Sequence, residues 1–286
     1  MSSRKEDKLM RLMTPTCNLF DSDKEGAVYG MPEQEYRQER ALSTSELKLM
    51  KNPSEFYKQV TGRLRRESTP SMELGTMFHS YILEPDRFHE TYAVCPDECA
   101  DGRTKEGKAW RAKVKELGQK PISEAQQRQL KNMEDSIQQE EAWQFIEDDP
   151  VTELSVFSQN AWPYPSKCRV DCYHPHSETV VDIKTCAPGK ASKKGFFYSV
   201  RDYQYALQQW NYIHLMREQG LPVKRWIWLF VETGGYYSAA SWMLSKESMV
   251  RAGQTVHEYM TKLTHCLDED HWPSYTSEGI QTVDVF

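Results

Sequence analysis

Apolar sequence is scarce in this chain. The mean hydropathy is −0.75, and no apolar stretch approaches the roughly 20 residues that a membrane-spanning helix needs. The start, Met1-Ser2-Ser3-Arg4-Lys5-Glu6-Asp7-Lys8, is polar and carries no signal-peptide core, so a cytoplasmic protein with no membrane partner is expected. There is no internal repeat and no low-complexity segment. The seven cysteines are odd in number and have no secretory context, which predicts reduced thiols. An excess of positive charge is missing as well: 36 Lys and Arg face 42 Asp and Glu, for a net charge of −6. That excludes a chain that coats nucleic acid over its whole surface, but not one with a local basic surface at its site. Aromatics are plentiful at 12%, enough for a real core, and 286 residues suit one large domain.

The basic residues fall in clusters: Arg63, Arg65 and Arg66; Arg103, Lys105 and Lys108; Lys190, Lys193 and Lys194. Residues 1–28 are polar and aperiodic and are read as a poorly ordered extension. One domain is expected over 29–275, helical across 43–150 and sheet-based across 151–267, with a tail at 276–286. Ser43-Thr44-Ser45-Glu46 is a capping box that starts a helix through Leu47 and Met50. A second helix runs from about Met72 to Leu83 and stops at Glu84-Pro85, with Leu74, Phe78 and Ile82 as its apolar stripe. His79 lies beside that stripe, one turn after Gly75, whose bare backbone leaves room near the imidazole. A loop with Gly102 and Gly107 leads into a helix over 108–117. Ser123 caps a long helix predicted through Leu130, Met133, Ile137 and Phe145.

The second half opens on the alternating strand Thr152 to Phe157, with Glu153 facing away from Leu154 and Val156. Two further strings form a hairpin: Arg169-Val170-Asp171 and Val180-Val181-Asp182-Ile183-Lys184, joined by His174-Pro175-His176-Ser177-Glu178. In a strand, residues i and i+2 share a face, so Asp182 and Lys184 look one way while Ile183 turns into the core. Cys168, Val170 and Cys172 are read as the core face of the partner strand. With Pro175–Glu178 as a four-residue loop, Asp171 falls opposite Asp182 at a Cβ separation of about 5 Å. Carboxylates so close repel, and a divalent cation between them removes the conflict. The competing explanation is a polar face that meets solvent, its acids paired with Arg169 and Lys184. A periodic helix over 202–219 follows, with Tyr203, Leu207 and Trp210 on one stripe and Gln208 and Tyr212 one turn apart. A hairpin around Gly234-Gly235 and a helix capped by Ser245 complete a mixed α/β fold.

Several of these strings resemble one family. Val181-Asp182-Ile183-Lys184-Thr185, eleven residues after Asp171, is similar to the core of the PD-(D/E)XK nucleases. Gly75-Thr76-Met77-Phe78-His79 with Leu83-Glu84-Pro85 resembles the GTxxH…LEP segment of the RecE-type exonuclease VIII family, and Arg103-Thr104-Lys105-Glu106-Gly107-Lys108 its RTxxGK stretch. Asp202-Tyr203-Gln204-Tyr205-Ala206-Leu207-Gln208, then Tyr212, resembles its DYxYxxQxxxY helix, the QxxxY signature of RecB-like nucleases.

The resemblance implies a restriction-endonuclease-like core: a central mixed sheet flanked by helices, with an α-rich N-terminal half. It implies a Mg²⁺-dependent exonuclease, with Mn²⁺ as a substitute, that degrades one strand of duplex DNA processively from its 5′ end and leaves 3′ tails for recombination. His79, Asp171, Asp182 and the Ile183 carbonyl would be metal ligands. Glu153 would act through a second metal or a water, Lys184 would orient or deprotonate the attacking water, and Gln208 and Tyr212 would hold the substrate strand or the lysine. Arg103, Lys105, Lys108, Lys190, Lys193 and Tyr205 would grip DNA. A ring-shaped homo-oligomer, a tetramer by preference, and a single-strand annealing recombinase are the implied partners. A structure-specific or site-specific endonuclease on the same fold and a catalytically silent DNA-end-binding protein are the alternatives. Some RecB-like relatives hold an iron–sulfur cluster through a C-terminal cysteine triplet; here the last cysteine is Cys266, so no cluster is expected. No structural zinc is expected at Cys95/Cys99 or Cys168/Cys172 either.

Overall fold

The computed structural model describes residues 19–63, 67–275, 279 and 282. Arg65, Arg66, the first part of the 1–28 extension and nearly all of the 276–286 tail lie outside the described residues. The chain begins with strand β1 (Gly26–Val28), helix α1 (Glu33–Gln38), strand β2 (Leu42–Ser43) and the short helix α2 (Thr44–Leu47). A 3-10 turn over Lys48–Lys51 leads to α3 (Pro53–Val60), α4 (Pro70–Leu83), α5 (Pro85–Thr91) and β3 (Tyr92–Cys95). Then come α6 (Lys105–Glu116), β4 (Lys120–Ser123), α7 (Glu124–Ile137) and α8 (Gln144–Glu147). The second half holds β5 (Val151–Ser158), β6 (Ser166–His174), β7 (Thr179–Cys186), α9 (Lys193–Asp202), α10 (Tyr205–Glu218), β8 (Arg225–Glu232), β9 (Ala239–Trp242) and α11 (Lys246–Glu269).

Side-chain caps set most helix starts. Ser43 and Ser123 close full capping boxes with Glu46 and Gln126, and Thr69, Thr104, Ser192 and Ser245 each accept a first-turn N–H. Several ends differ from the sequence pattern. The Ser43 helix tightens into 3-10 after one turn. The Ser123 helix stops at Ile137, and Phe145 belongs to the separate α8. Residues 26–28, read as part of a disordered extension, form an edge strand against β5. Most consequential is α9, which the Gly, Lys and Ser content of 189–195 hid. Ser192 caps it, and Gln204, at φ 53° in the left-handed region, separates it from α10. The one helix expected over 202–219 is therefore the end of one helix and most of another, and Tyr203 is exposed rather than on a packed stripe.

Seven described strands make a mixed sheet in the order β1-β5-β6-β7-β8-β9, with β2 parallel to β6. β6 and β7 are the expected antiparallel hairpin, with His174 opposite Thr179, while β7 and β8 run parallel. Both faces are covered. On one, α4 and α7 pack Met77, Phe78, Leu130 and Met133 against Val181, Ile183 and Leu229. On the other, α9 and α10 bring Phe196, Leu215 and Met216 onto Val180, Trp226, Trp228 and Phe230. A third core joins the Leu47–Phe56 segment to α10 and α11. Among the described residues no helix is long and apolar enough to cross a membrane.

Candidate active site

The site forms where strand alternation fails. β5 and β6 pair regularly on either side of residues 153 and 171, with Thr152 opposite Cys172 and Leu154 opposite Val170. Between these pairs Glu153 takes φ 50°, a left-handed backbone that costs a non-glycine residue about 1–2 kcal/mol. Facing changes across this point. Cys168 and Val170 lie in the α10-side core, Cys172 in the α4-side core, and Tyr173 back on the α10 side. Cys168 and Cys172 therefore do not share a face, contrary to simple alternation. The slip turns the Glu153 and Asp171 carboxylates together toward α4.

Three side chains converge there. One donor atom from each of His79, Glu153 and Asp171 lies within 4.8 Å of the others, and among the described residues no other trio of His, Cys, Asp or Glu comes so close. The Arg169 guanidinium, buried, pairs with the Glu153 carboxylate and also donates to the Met31 carbonyl (2.8 Å) and Ser155 Oγ (3.1 Å). This ion pair offsets the cost of the left-handed Glu153. His79 Nε2 donates to the Ile183 carbonyl oxygen at 2.9 Å. Its other ring nitrogen, Nδ1, lies 3.7 Å from Asp171 Oδ2. An imidazole nitrogen and two carboxylates, with the ring fixed through its other nitrogen, are a donor set that fits a hard divalent cation.

The β6–β7 ladder ends at Cys172 and Val181, one step before the two aspartates. Asp171 is thus not ladder-paired with Asp182. Its Oδ2 accepts the Ile183 N–H at 2.9 Å, so its carboxylate caps the opened strand. The Ile183 carbonyl, expected as a metal ligand, serves first to orient His79.

Asp182 points to the other face with Lys184, as its parity requires. Only 2% exposed, its Oδ2 accepts from Gln208 Nε2 at 2.9 Å, and its Oδ1 lies against the Lys184 ammonium with no further hydrogen bond. Burial pushes the Asp182 carboxyl up to about 6, against the opposing pull of Lys184. For Lys184, burial works toward the neutral amine, but the Asp182 and Asp171 charges outweigh it and hold the ammonium raised. The ammonium is thus held protonated by the two carboxylates beside it. Its Nζ lies 5.7 Å from the Tyr205 ring centre and 5.5 Å from that of Trp228. Tyr212 packs edge-on to Trp226 at 5.9 Å, and burial pushes its phenol well up.

Sequence reasoning missed Lys48. Its Nζ donates to Gln208 Oε1 at 3.0 Å, which fixes the carboxamide so that its nitrogen reaches Asp182. Burial, then the Lys184 charge, push the Lys48 amine down to about 7. The available signal was a lysine inside the apolar turn Leu47-Lys48-Leu49-Met50; its partner lies 160 residues away, beyond any local pattern. The ordinary lysine value is 10.5. Between about 7 and 10.5 the unfolded chain holds the proton that the folded chain has lost, so stability rises with pH across that window. Each pH unit traversed is worth at most about 1.4 kcal/mol. Lys48→Met is expected to flatten the rise of Tm between pH 7 and 10; an unchanged slope would place the lysine in water.

An open cleft of about 470 Å³ lies over the trio, lined by Gly75, Thr76, His79, Glu153, Arg169 and Asp171 among others. Gly75 does not simply clear space for the imidazole. A Cβ there would sit 3.1 Å from Thr185 Oγ1, so the glycine lets α4 press onto the end of β7. A larger hollow of about 680 Å³ lies against Trp210, Trp226 and Met249 and holds none of the acids above. Arg103, Lys105 and Lys108 stand exposed at the start of α6, away from the cleft, with Arg103 paired to Asp101. Lys190 and Lys193 flank the start of α9, and Tyr205 stacks on Trp228 at 4.9 Å as part of the inner wall.

The profile of one protein family, described as PDDEXK-like domain of unknown function (DUF3799), matches residues 43–284. The chain belongs to this family. The mixed sheet, with its Asp171 and Asp182–Lys184 strands, is the nuclease-type PD-(D/E)XK core that the name denotes. Among solved structures, a candidate exonuclease from Eubacterium rectale superposes with a TM-score of 0.61 at 15% identity, covering 91% of this chain and 97% of that one. At that identity the likeness concerns the fold. No curated protein matches the sequence.

Proposed function

We propose that this PDDEXK-like chain is a divalent-metal-dependent exodeoxyribonuclease of the RecE type, resecting linear duplex DNA from 5′ to 3′ to leave 3′ single-stranded tails for recombination. The observation that carries the reading is the His79–Glu153–Asp171 cluster beside the buried Asp182–Lys184 pair. Hydrolysis forms one bond from a water oxygen to phosphorus and breaks one from phosphorus to a ribose oxygen. Charge grows on the phosphate while the water passes a proton to solvent and the departing ribose oxygen takes one up. Mg²⁺ held by His79, Glu153 and Asp171, with Asp182 behind them, would polarise the phosphate and acidify water.

The chain's own groups supply the rest. Lys184, kept protonated by Asp182 and Asp171, offers N–H donors to the charging phosphate oxygens. Gln208, held from behind by Lys48, keeps Asp182 turned toward Lys184. Lys190 and Lys193, and more remotely Arg103, Lys105 and Lys108, would contact backbone phosphates without reading bases. A ring of identical copies, a tetramer by preference, would place those cations around the duplex and reconcile the acidic net charge with DNA binding. A single-strand annealing recombinase would take the exposed strand.

The test uses linear duplex labelled separately at its 5′ and 3′ ends, beside covalently closed circles, with Mg²⁺ or EDTA. Nucleotide release from 5′ ends only, circles left intact and no reaction in EDTA are expected. Nicked circles would make the enzyme an endonuclease, and release in EDTA would remove the metal from the reaction.

A further inference from the structure

Helix α9, invisible to the sequence pattern, presents a surface that no reaction step above uses. Its buried side is tightly fixed. Phe196 stacks on Trp242 with ring centres 5.6 Å apart. A Cβ on Gly195 would lie 2.4 Å from the Lys190 carbonyl oxygen, so the first turn clamps onto the 187–190 loop. The buried Glu232 carboxylate holds that loop by accepting the N–H groups of Gly189 (2.7 Å) and Ala191 (3.3 Å).

The opposite side is exposed and of unusual composition. Phe197 is 63% exposed, Tyr198 lies edge-on to it at 5.5 Å, and Tyr203, the residue after the helix, is 62% exposed. Large apolar rings standing in water are costly unless something covers them. Over residues 190–203 the chain carries Lys190, Lys193, Lys194 and Arg201 against one acid, Asp202, which Arg201 already holds at 2.9 Å. In a chain of net charge −6, this is a local positive surface. Among the described residues Lys190, Lys193 and Lys194 form no ion pair. Past the C-terminal end of α9, Tyr203 lies 5.5 Å from Tyr205, Tyr205 stacks on Trp228 at 4.9 Å, and Lys184 sits over both of those inner rings.

We propose that the exposed face of α9, with Phe197 and Tyr198 as rings and Lys193 and Lys194 as cations, together with Tyr203 just past its C-terminal end, is a stacking platform for single-stranded nucleic acid leading to Lys184. The inference rests on the nuclease reading for its direction toward the site. Flat rings take successive unpaired bases whatever their identity, and unpaired lysines take the phosphates between them. A duplex, whose bases are already stacked, leaves such rings idle. An acidic peptide would find the cations but would leave the exposed rings without a use.

Fluorescence anisotropy of a labelled oligothymidylate with the full chain in EDTA tests this apart from hydrolysis. Phe197→Ala and Tyr203→Ala should each weaken binding by roughly fivefold to a hundredfold, with Phe197→Trp restoring it. Lys193→Gln should shallow the salt dependence by about 0.7 in the log–log slope. Equal binding by wild type and both alanine variants overturns the platform, even if duplex resection proceeds. Alanine variants that change the oligomeric state by light scattering and leave oligonucleotide affinity alone also overturn it, assigning the rings to contact between copies. Ring-dependent binding by a chain that hydrolyses nothing would keep the platform and sink the nuclease reading instead.

Discussion

Asp171→Asn is expected to lower Mg²⁺-dependent hydrolysis of linear duplex by at least about a hundredfold while leaving the fold intact. The substitution is selective. The asparagine oxygen can still accept the Ile183 N–H that Asp171 Oδ2 accepts at 2.9 Å, so the opened end of the β6–β7 ladder keeps its cap. What disappears is one of two carboxylate charges in the His79–Glu153–Asp171 cluster. A cation acting on a phosphoryl oxygen contributes several kcal/mol, and each 1.36 kcal/mol is tenfold in rate. Calorimetric titration with Mg²⁺ should lose its heat in parallel, and Tm should move little. Activity within tenfold of wild type would mean that the cluster is not where the chemistry occurs. Lys184→Ala is a poorer probe, because it leaves Asp182 buried without its counter-charge, a destabilising change in its own right.

Phe78→Ala should instead cost stability, about 3–5 kcal/mol. Phe78 is fully buried in the core that contains Val181, Ile183 and Leu229. It is also the residue before His79. Its ring holds α4 against the sheet, and the bare Gly75 lets that helix approach Thr185 closely. Removing the ring leaves a cavity under the helix that carries the imidazole. Urea unfolding should show the loss as a lower midpoint with the slope retained, and Tm should fall by roughly ten degrees. A change below about 1 kcal/mol would mean that the helix is held by other contacts. Mg²⁺ affinity should fall too, since the His79–Ile183 hydrogen bond depends on the same seating.

The two predictions separate what the sequence could tell from what it could not. The hairpin was legible because its turn residues and β-branched runs are local, and the parity of Asp182, Ile183 and Lys184 follows from the pleat. Alternation failed at Glu153 and Asp171, because no local pattern announces a left-handed glutamate whose cost is offset by an arginine sixteen residues later. Simple parity consequently put Cys172 on the wrong face. Lys48 escaped for a related reason: its role exists only after α10 has docked on the 3-10 turn. The α9 helix was hidden by its own exposed composition. Phe197, Tyr198, Lys193 and Lys194 do not make an amphipathic stripe of the usual kind, because the outward face carries rings as well as charge.

The pairing of Arg169 with Glu153 and of Lys184 with Asp182 has one more consequence. Three acids gathered in a confined space would ordinarily push the strands apart until an ion arrived to quiet them. Here two built-in counter-charges do most of that quieting in advance, so the strands can close around the acids without waiting for an ion. Any ion the cluster takes would then be loaded independently of folding, unlike small zinc domains that collapse only around their metal.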